Sequence, residues 1–163
     1  MSDKPTSPIR QTDDEARALA ASILTGARIA ALGLWDADAA RPHVTRIAFV
    51  HDPDLGYFTL VSDLSKHASL MKQSPVASLL IGEAPDKGDP LAFPRLTLAA
   101  DAAFIPRDAR ERVAMRALWL ERHPKAALYI DFGDFNFVRF TPLGADLNGG
   151  FGKAFRLCKT DLP

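Results

Sequence analysis

Pro42-His43-Val44-Thr45-Arg46-Ile47-Ala48-Phe49-Val50, then His51-Asp52-Pro53-Asp54-Leu55-Gly56, then Tyr57-Phe58-Thr59-Leu60-Val61, is the stretch that decides the fold. Two runs rich in β-branched and aromatic residues flank a segment dense in breakers, which spells two strands joined by a tight turn. Just upstream, Arg28 to Trp35 (RIAALGLW) is a short apolar run that reads as a strand buried on both faces, and the polar Asp36 to Arg41 links it to the next. Two hairpins in succession make an antiparallel meander. Further strands are expected at Val76–Ile81, Arg95–Phe104, Phe135–Thr141 and Ala145–Phe151. Thr12-Asp13-Asp14-Glu15 reads as a capping box with Thr12 at the N-cap, opening the Ala- and Leu-rich helix EARALAASILTGA. Ser65 is the expected N-cap of a short helix over Lys66–Gln73. A second capping pattern, Asp108-Ala109-Arg110-Glu111, opens a helix with Val113, Ala117 and Leu120 on its apolar face, broken at His123-Pro124. No βαβ alternation runs through the chain. The fold class is therefore mainly β (α+β): a small antiparallel barrel of six to seven strands, closed or partly open, with flanking helices.

The chain has 163 residues, enough for one domain that buries about two thirds of its surface without staples. Residues 1–11, polar and holding two prolines, read as a mobile tail, and 12–163 as one domain. Twenty Lys plus Arg balance twenty Asp plus Glu, which argues against a nucleic-acid binder that must displace phosphate counterions. The strands also lack the aromatic stacking stripe a nucleic-acid-binding barrel needs. The single cysteine, Cys158, allows no intrachain disulfide and no Cys-based zinc site, and no histidine pair has metal-binding spacing. No apolar run is long enough for a membrane helix, and the polar start lacks a signal-peptide core, so the cytoplasm is the expected compartment.

Two positions carry unexplained charge. Arg46 shares a strand face with Val44, Ala48 and Val50. It is either a barrel-rim arginine paired with a carboxylate or the fork of an anion site. Ser62-Asp63-Leu64-Ser65-Lys66-His67 puts a lysine and a histidine in the first turn of a helix, where cations oppose the helix dipole. That is either a solvated helix start or a place where backbone N–H groups, Ser65, Lys66 and His67 converge on a phosphate. Arg95 and Thr97 alternate on one face of their strand, as an edge-strand polar face would. Asn148-Gly149-Gly150-Phe151-Gly152 is a glycine turn or a place of close backbone approach to a flat ligand.

In this order, Arg41-Pro42-His43-Val44-Thr45-Arg46-Ile47-Ala48-Phe49, Ser62-Asp63-Leu64-Ser65-Lys66-His67, Gly88-Asp89-Pro90-Leu91-Ala92-Phe93-Pro94-Arg95-Leu96-Thr97-Leu98 and Gly149-Gly150-Phe151-Gly152-Lys153-Ala154 resemble the pyridoxamine 5′-phosphate oxidase-like FMN-binding split-barrel proteins. Within that group the likeness is closest to the haem-utilisation branch, and it spans roughly residues 14 to 155. The resemblance implies a split β-barrel homodimer with FMN at the subunit interface. It implies Arg46 and the backbone of Ile47, Ala48 and Phe49 at the FMN phosphate and ring edge, Ser65 and Lys66 as a phosphate pair, His67 and Ser62 nearby, and Arg95 reaching the partner's flavin. No side chain stands out as a catalytic acid or base, and no metal ligand is expected. The basic C-terminal segment of the vitamin B6 oxidases has no counterpart in Gly152-Lys153-Ala154-Phe155-Arg156, and no histidine follows His123 to serve as a haem ligand. The expected function is a flavin-dependent oxidoreductase acting on a small molecule. The alternative is a non-catalytic flavin or haem carrier.

Overall fold

The computed structural model describes residues 8–163. Its nine strands form one sheet, β1 (Ile9–Arg10), β2 (Ile29–Asp36), β3 (Arg41–Ala48), β4 (Val50–Asp52), β5 (Gly56–Ser62), β6 (Val76–Ile81), β7 (Arg95–Phe104), β8 (Phe135–Asn148) and β9 (Ala154–Cys158). Three α-helices accompany them: α1 (Asp14–Gly26), α2 (Lys66–Gln73) and α3 (Arg112–Arg122). The main path runs β1-β9-β8-β7-β6-β2-β3, and β5 pairs with both β4 and the first half of β8. The Thr59 hydroxyl donates to the Ala48 carbonyl at 2.6 Å and ties β5 to the end of β3, bringing the sheet round into a split barrel. Among the described strand pairs every one is antiparallel except β1 with β9.

The strands expected at Phe135–Thr141 and Ala145–Phe151 are one 14-residue strand, β8. Pro142-Leu143-Gly144 reads as a break because proline donates no ladder hydrogen bond. The chain passes it with a bulge: Gly144 pairs with Ala99 and Pro142 with Ala100, leaving Leu143 as the extra residue. Two further strands escaped the reading. Ala154–Cys158 alternates Phe155 and Leu157 inward with Arg156 outward, and Ile9–Arg10 pairs along it. Of the expected tail, residues 1–7 lie outside the described residues, whereas Ile9 and Arg10 belong to the sheet.

β2 is not buried on both faces. Ala30, Leu32, Leu34 and Asp36 point into the core, while Trp35 is exposed. The helix starts also differ. Asp13, not Thr12, caps α1, accepting from the Ala16 N–H at 2.8 Å, because Thr12 donates to the Arg156 carbonyl instead. The Asp108–Glu111 pattern forms no cap, and α3 begins at Arg112. Its buried positions are Met115 and Trp119, one turn apart, and Val113 and Ala117 face solvent. The helix does end where His123-Pro124 predicts.

The hydrophobic interior has two parts. The larger lies inside the barrel under α1 and α2, around Leu24, Leu32, Leu79, Leu96, Leu98 and Phe140. The smaller is aromatic, with Phe58, Trp119 and Phe137 packed beneath α3.

Candidate functional site: the outer face of the sheet

Side chains alternate across a strand, so the residues that do not enter the barrel share its outer face. The register lines them up in rows. One row reads Arg46, Ala31, Leu80, Thr97, Asp146, Arg156 across β3, β2, β6, β7, β8 and β9. The next reads Val44, Gly33, Ser78, Ala99, Gly144, Cys158. The middle of this face is a floor of small side chains. Around it stand large apolar groups left in solvent: Val44 is 66% exposed and Val76 64%, and Trp35, Leu80 and Leu143 are exposed too. Such a face on one sheet marks a surface built to be covered. A groove of about 510 Å³ runs over Ser78, Thr97, Ala99, Gly144, Arg156 and Cys158.

Arg46 stands at the β3 end of the floor. Val44, Arg46 and Ala48 do share a face, but it is the open one, and Val50 belongs to the next strand. Arg46 makes no hydrogen bond or ion pair among the described residues, so its guanidinium fork is free. At the other end Arg156 pairs with Asp146 at 3.3 Å, both exposed. The sequence reading missed the small floor, since Gly33, Ser78, Ala99 and Gly144 lie far apart in the chain and only the register unites them.

The α2 corner is a separate place. Ser65 caps the helix as expected, accepting from the Ala68 N–H, and its hydroxyl donates to the Ser62 carbonyl at 2.7 Å. The Ser62 hydroxyl donates to Asp134 at 2.5 Å. Lys66 binds Asp36 at 2.6 Å. Asp36 thus provides the negative charge that a lysine at a helix start requires. The Lys66 ammonium, then the Ala39 N–H, hold the Asp36 carboxyl below its ordinary value. The signal was present in the sequence: Asp36 has the same parity as Ala30, Leu32 and Leu34, and an acid in an inward series needs a cation. His67 is half-buried, and burial, with His43 opposite, pushes its ring below the ordinary value.

Arg46 and Lys66 do not converge. Arg46 pairs with Ala31, whereas Lys66 meets Asp36, five positions further along β2 and on its other face. That is about 17 Å along the strand, with the sheet between. The remaining expected positions are also placed. Ile47 and Phe49 are core side chains. The Ala48 carbonyl is taken by Thr59, and the Phe49 N–H by the Arg28 carbonyl at 2.9 Å. Arg95 folds back on its own loop, donating to the carbonyls of Leu91 (3.1 Å) and Phe93 (3.4 Å).

A search of protein-family models finds no match. Among curated proteins, the haem oxygenase HutZ of Vibrio cholerae is 30% identical over 124 residues, covering 75% of this chain and 70% of HutZ. The chain belongs to the haem-utilisation branch of the pyridoxamine 5′-phosphate oxidase-like split-barrel family. The chloroplastic non-canonical haem oxygenase HOZ of Arabidopsis thaliana is 33% identical over 114 residues, 70% of this chain, and the chain spans only about a third (34%) of that relative. Among solved structures, a haem-binding protein from Mycobacterium smegmatis superposes with a TM-score of 0.81 at 24% identity, over 92% of this chain and 60% of that one. The haem storage protein HutZ from Vibrio cholerae superposes with a TM-score of 0.65 at 25% identity, over 82% of this chain and 91% of that one. No helix among the described residues is long and apolar enough to cross a membrane.

Proposed function

We propose that the chain is a haem-binding protein that works as a homodimer, with the macrocycle held on the outer sheet face between two copies. The observation that carries this reading is the floor of small residues walled by exposed apolar side chains, with the free Arg46 at its β3 end. A flat apolar ring needs a floor on which it meets backbone and methyl groups at van der Waals distance, and the carboxylates on one of its edges need a forked donor there, as Arg46 offers. Covering the same face with a second copy removes Trp35, Val44, Val76 and Leu80 from water, which drives association. The family and the haem-named relatives agree with this ligand class.

Haem brings its own iron chemistry. The chain's part is to bind the ring, orient its carboxylates and exclude water. Among the described residues, no histidine stands on this face. His43 lies in the inward row opposite Leu34, His51 is buried, His67 sits on α2 and His123 closes α3. Cys158 does stand there, but its thiol donates to Asp161 at 2.9 Å. The residues fit the ring and its carboxylates. Among the described residues they supply no imidazole for the iron.

The second reading is the FMN-dependent oxidoreductase, with Ser62, Ser65, Lys66 and His67 on the phosphate and Arg46 and Arg95 toward the ring. The capped start of α2 and its hydroxyls favour it. Against it, Lys66 is spent on Asp36, and the pocket of about 350 Å³ beside it is lined by Asp36 and Asp38, which repel a phosphate. Titration of the purified protein with haemin and with FMN, followed by desalting, separates the two. A retained haem spectrum supports the proposal. Retention of FMN alone overturns it in favour of the flavin reading.

A further inference from the structure

The outer face differs on the two sides of β6. Two strands lie to one side, β2 and β3, and three to the other before β1, namely β7, β8 and β9. β3 is an edge: among the described strands its only ladder partner is β2, and it turns Val44 and Arg46 outward, both exposed. Two strands from β6 on the other side, β8 lies along the groove, where Ala99 and Gly144 are small and Asp146 offers a carboxylate. Between them, β6 turns Val76, Ser78 and Leu80 outward, and Val76 and Leu80 are large apolar groups left in solvent.

Two copies of one sheet that meet face to face about a two-fold axis can lie in two ways. With the axis across the strands, β3 lies over the partner's β3. The guanidinia of the two Arg46 side chains then share one edge, and the outward residues of β3 (Pro42, Val44, Arg46 and Ala48) include no acid to part them. Like charges brought together this way oppose association. With the axis along the strands, the strand order is reversed between the copies and each row stays with its own row.

We propose that the ligand-free homodimer is built the second way, with its axis along β6, so that the β3 edge of each copy fills the groove of the other; this rests on the reading that two copies meet through the outer face. Each β6 then lies on the partner's β6, and Val76 and Leu80 pack on their own counterparts. β3, two strands from the axis, falls over the partner's β8. Val44 belongs to the row of Ala99 and Gly144, so it enters the groove above those small residues. Arg46 belongs to the row of Asp146, so its free fork meets the partner's Asp146, which Arg156 of the same copy holds by one contact of 3.3 Å. An apolar knob thus meets a small-residue floor, and an unpaired cation meets an exposed acid. The pair joins two folded copies and holds nothing within either. Between the two inserted edges, Gly33, Ser78 and Ala99 of one copy face the same small row of the other.

The test is sedimentation of the full chain without ligand. Arg46→Glu and Asp146→Lys should each raise the dimer dissociation constant by roughly ten-fold or more, because two-fold symmetry breaks the pair twice. The double variant should return to within about three-fold of the unmodified chain. Within one copy the two positions lie four strand spacings apart, about 19 Å along the sheet and too far to couple, so rescue reports a contact between copies. A second measurement needs no substitution and survives if a variant fails to fold: a nitroxide on Cys158, the chain's one cysteine. β9 is three strands from β6, outside the partner's β3 edge, so the two labels should stand about 25–30 Å apart by electron spin resonance. With β9 over the partner's β9 they would stand about 10 Å apart. A dimer whose labels fall outside the longer range overturns the arrangement while the outer-face dimer stands, and so does a folded double variant that associates no better than the single ones. An unmodified chain that sediments as a monomer overturns both.

Discussion

Gly33→Val separates folding from binding. Gly33 lies mid-strand on β2, in the small-residue row between Val44 and Ser78. A Cβ placed there meets the Ser78 carbonyl oxygen at 3.5 Å and the Ser78 Cβ at 3.9 Å, which is ordinary contact, and its φ is one that any residue adopts. The fold therefore has room for the side chain. Replacing a mid-strand glycine by a β-branched residue recovers about 0.5–1 kcal/mol of backbone entropy, and at roughly 2–4 °C per kcal/mol for a chain of this size the melting temperature rises by about 1–4 °C. The ligand sees the opposite. The valine methyls stand where the ring would lie, and overpacking a fitted contact costs about 1–3 kcal/mol, or roughly 5- to 150-fold in haem affinity. Thermal melts and haemin titrations on the same preparation give both numbers. A stable Gly33→Val variant that binds haemin like the parent would refute the proposal that the ring rests on this floor. Gly144, in the same row beyond Ser78 and Ala99, is a useful contrast: its Cβ would lie 3.0 Å from the Leu157 carbonyl oxygen, so Gly144→Val should lower the melting temperature as well.

Other consequences follow from single side chains. Arg46→Ala should leave the melting temperature unchanged, since the guanidinium holds nothing in the fold, yet weaken haemin binding by about ten-fold or more, the worth of a charge-assisted hydrogen bond. Lys66→Met should do the reverse, leaving haemin affinity intact and lowering the urea midpoint at neutral pH, because Asp36 loses its cation. The pH dependence has a definite sign. The Asp36 carboxyl is lowered in the folded chain, chiefly by the Lys66 hydrogen bond, so its contribution is complete above the ordinary value of 3.8 and is lost as pH falls through the lowered one. Urea midpoints of the parent and Lys66→Met should therefore converge in strong acid. Trp119, 1% exposed between Phe58 and Phe137, has an indole N–H without a partner. Trp119→Ala should cost about 3–5 kcal/mol in urea unfolding. Trp119→Phe should cost under about 1.5 kcal/mol, because it also removes the unsatisfied donor.

The barrel was readable because its strands carry local signals. The strand at Val76–Ile81 survives as β6, and the turn before Tyr57 survives in shortened form, since His51 and Asp52 extend a separate strand β4 and Gly56 begins β5. What misled was punctuation whose effect depends on distant partners. Pro142 looks like a strand end, yet β7 runs alongside and absorbs it with a bulge. Thr12 looks like a cap, yet β9 offers it a carbonyl. The charge anomalies at Arg46 and Lys66 were visible as odd residues in their patterns, but their roles differ. Lys66 answers a buried acid on its own barrel wall, and Arg46 faces the open sheet. No spacing rule could gather Gly33, Ser78, Ala99 and Gly144, because their proximity is created by the strand order β2-β6-β7-β8.

The most direct measurement is a haemin titration of the purified chain followed by absorbance and by size-exclusion chromatography, with Arg46→Ala alongside. The account predicts a haem spectrum that elutes with a dimer and weakens in the variant. A protein that elutes as a monomer and passes haemin through unbound would contradict it.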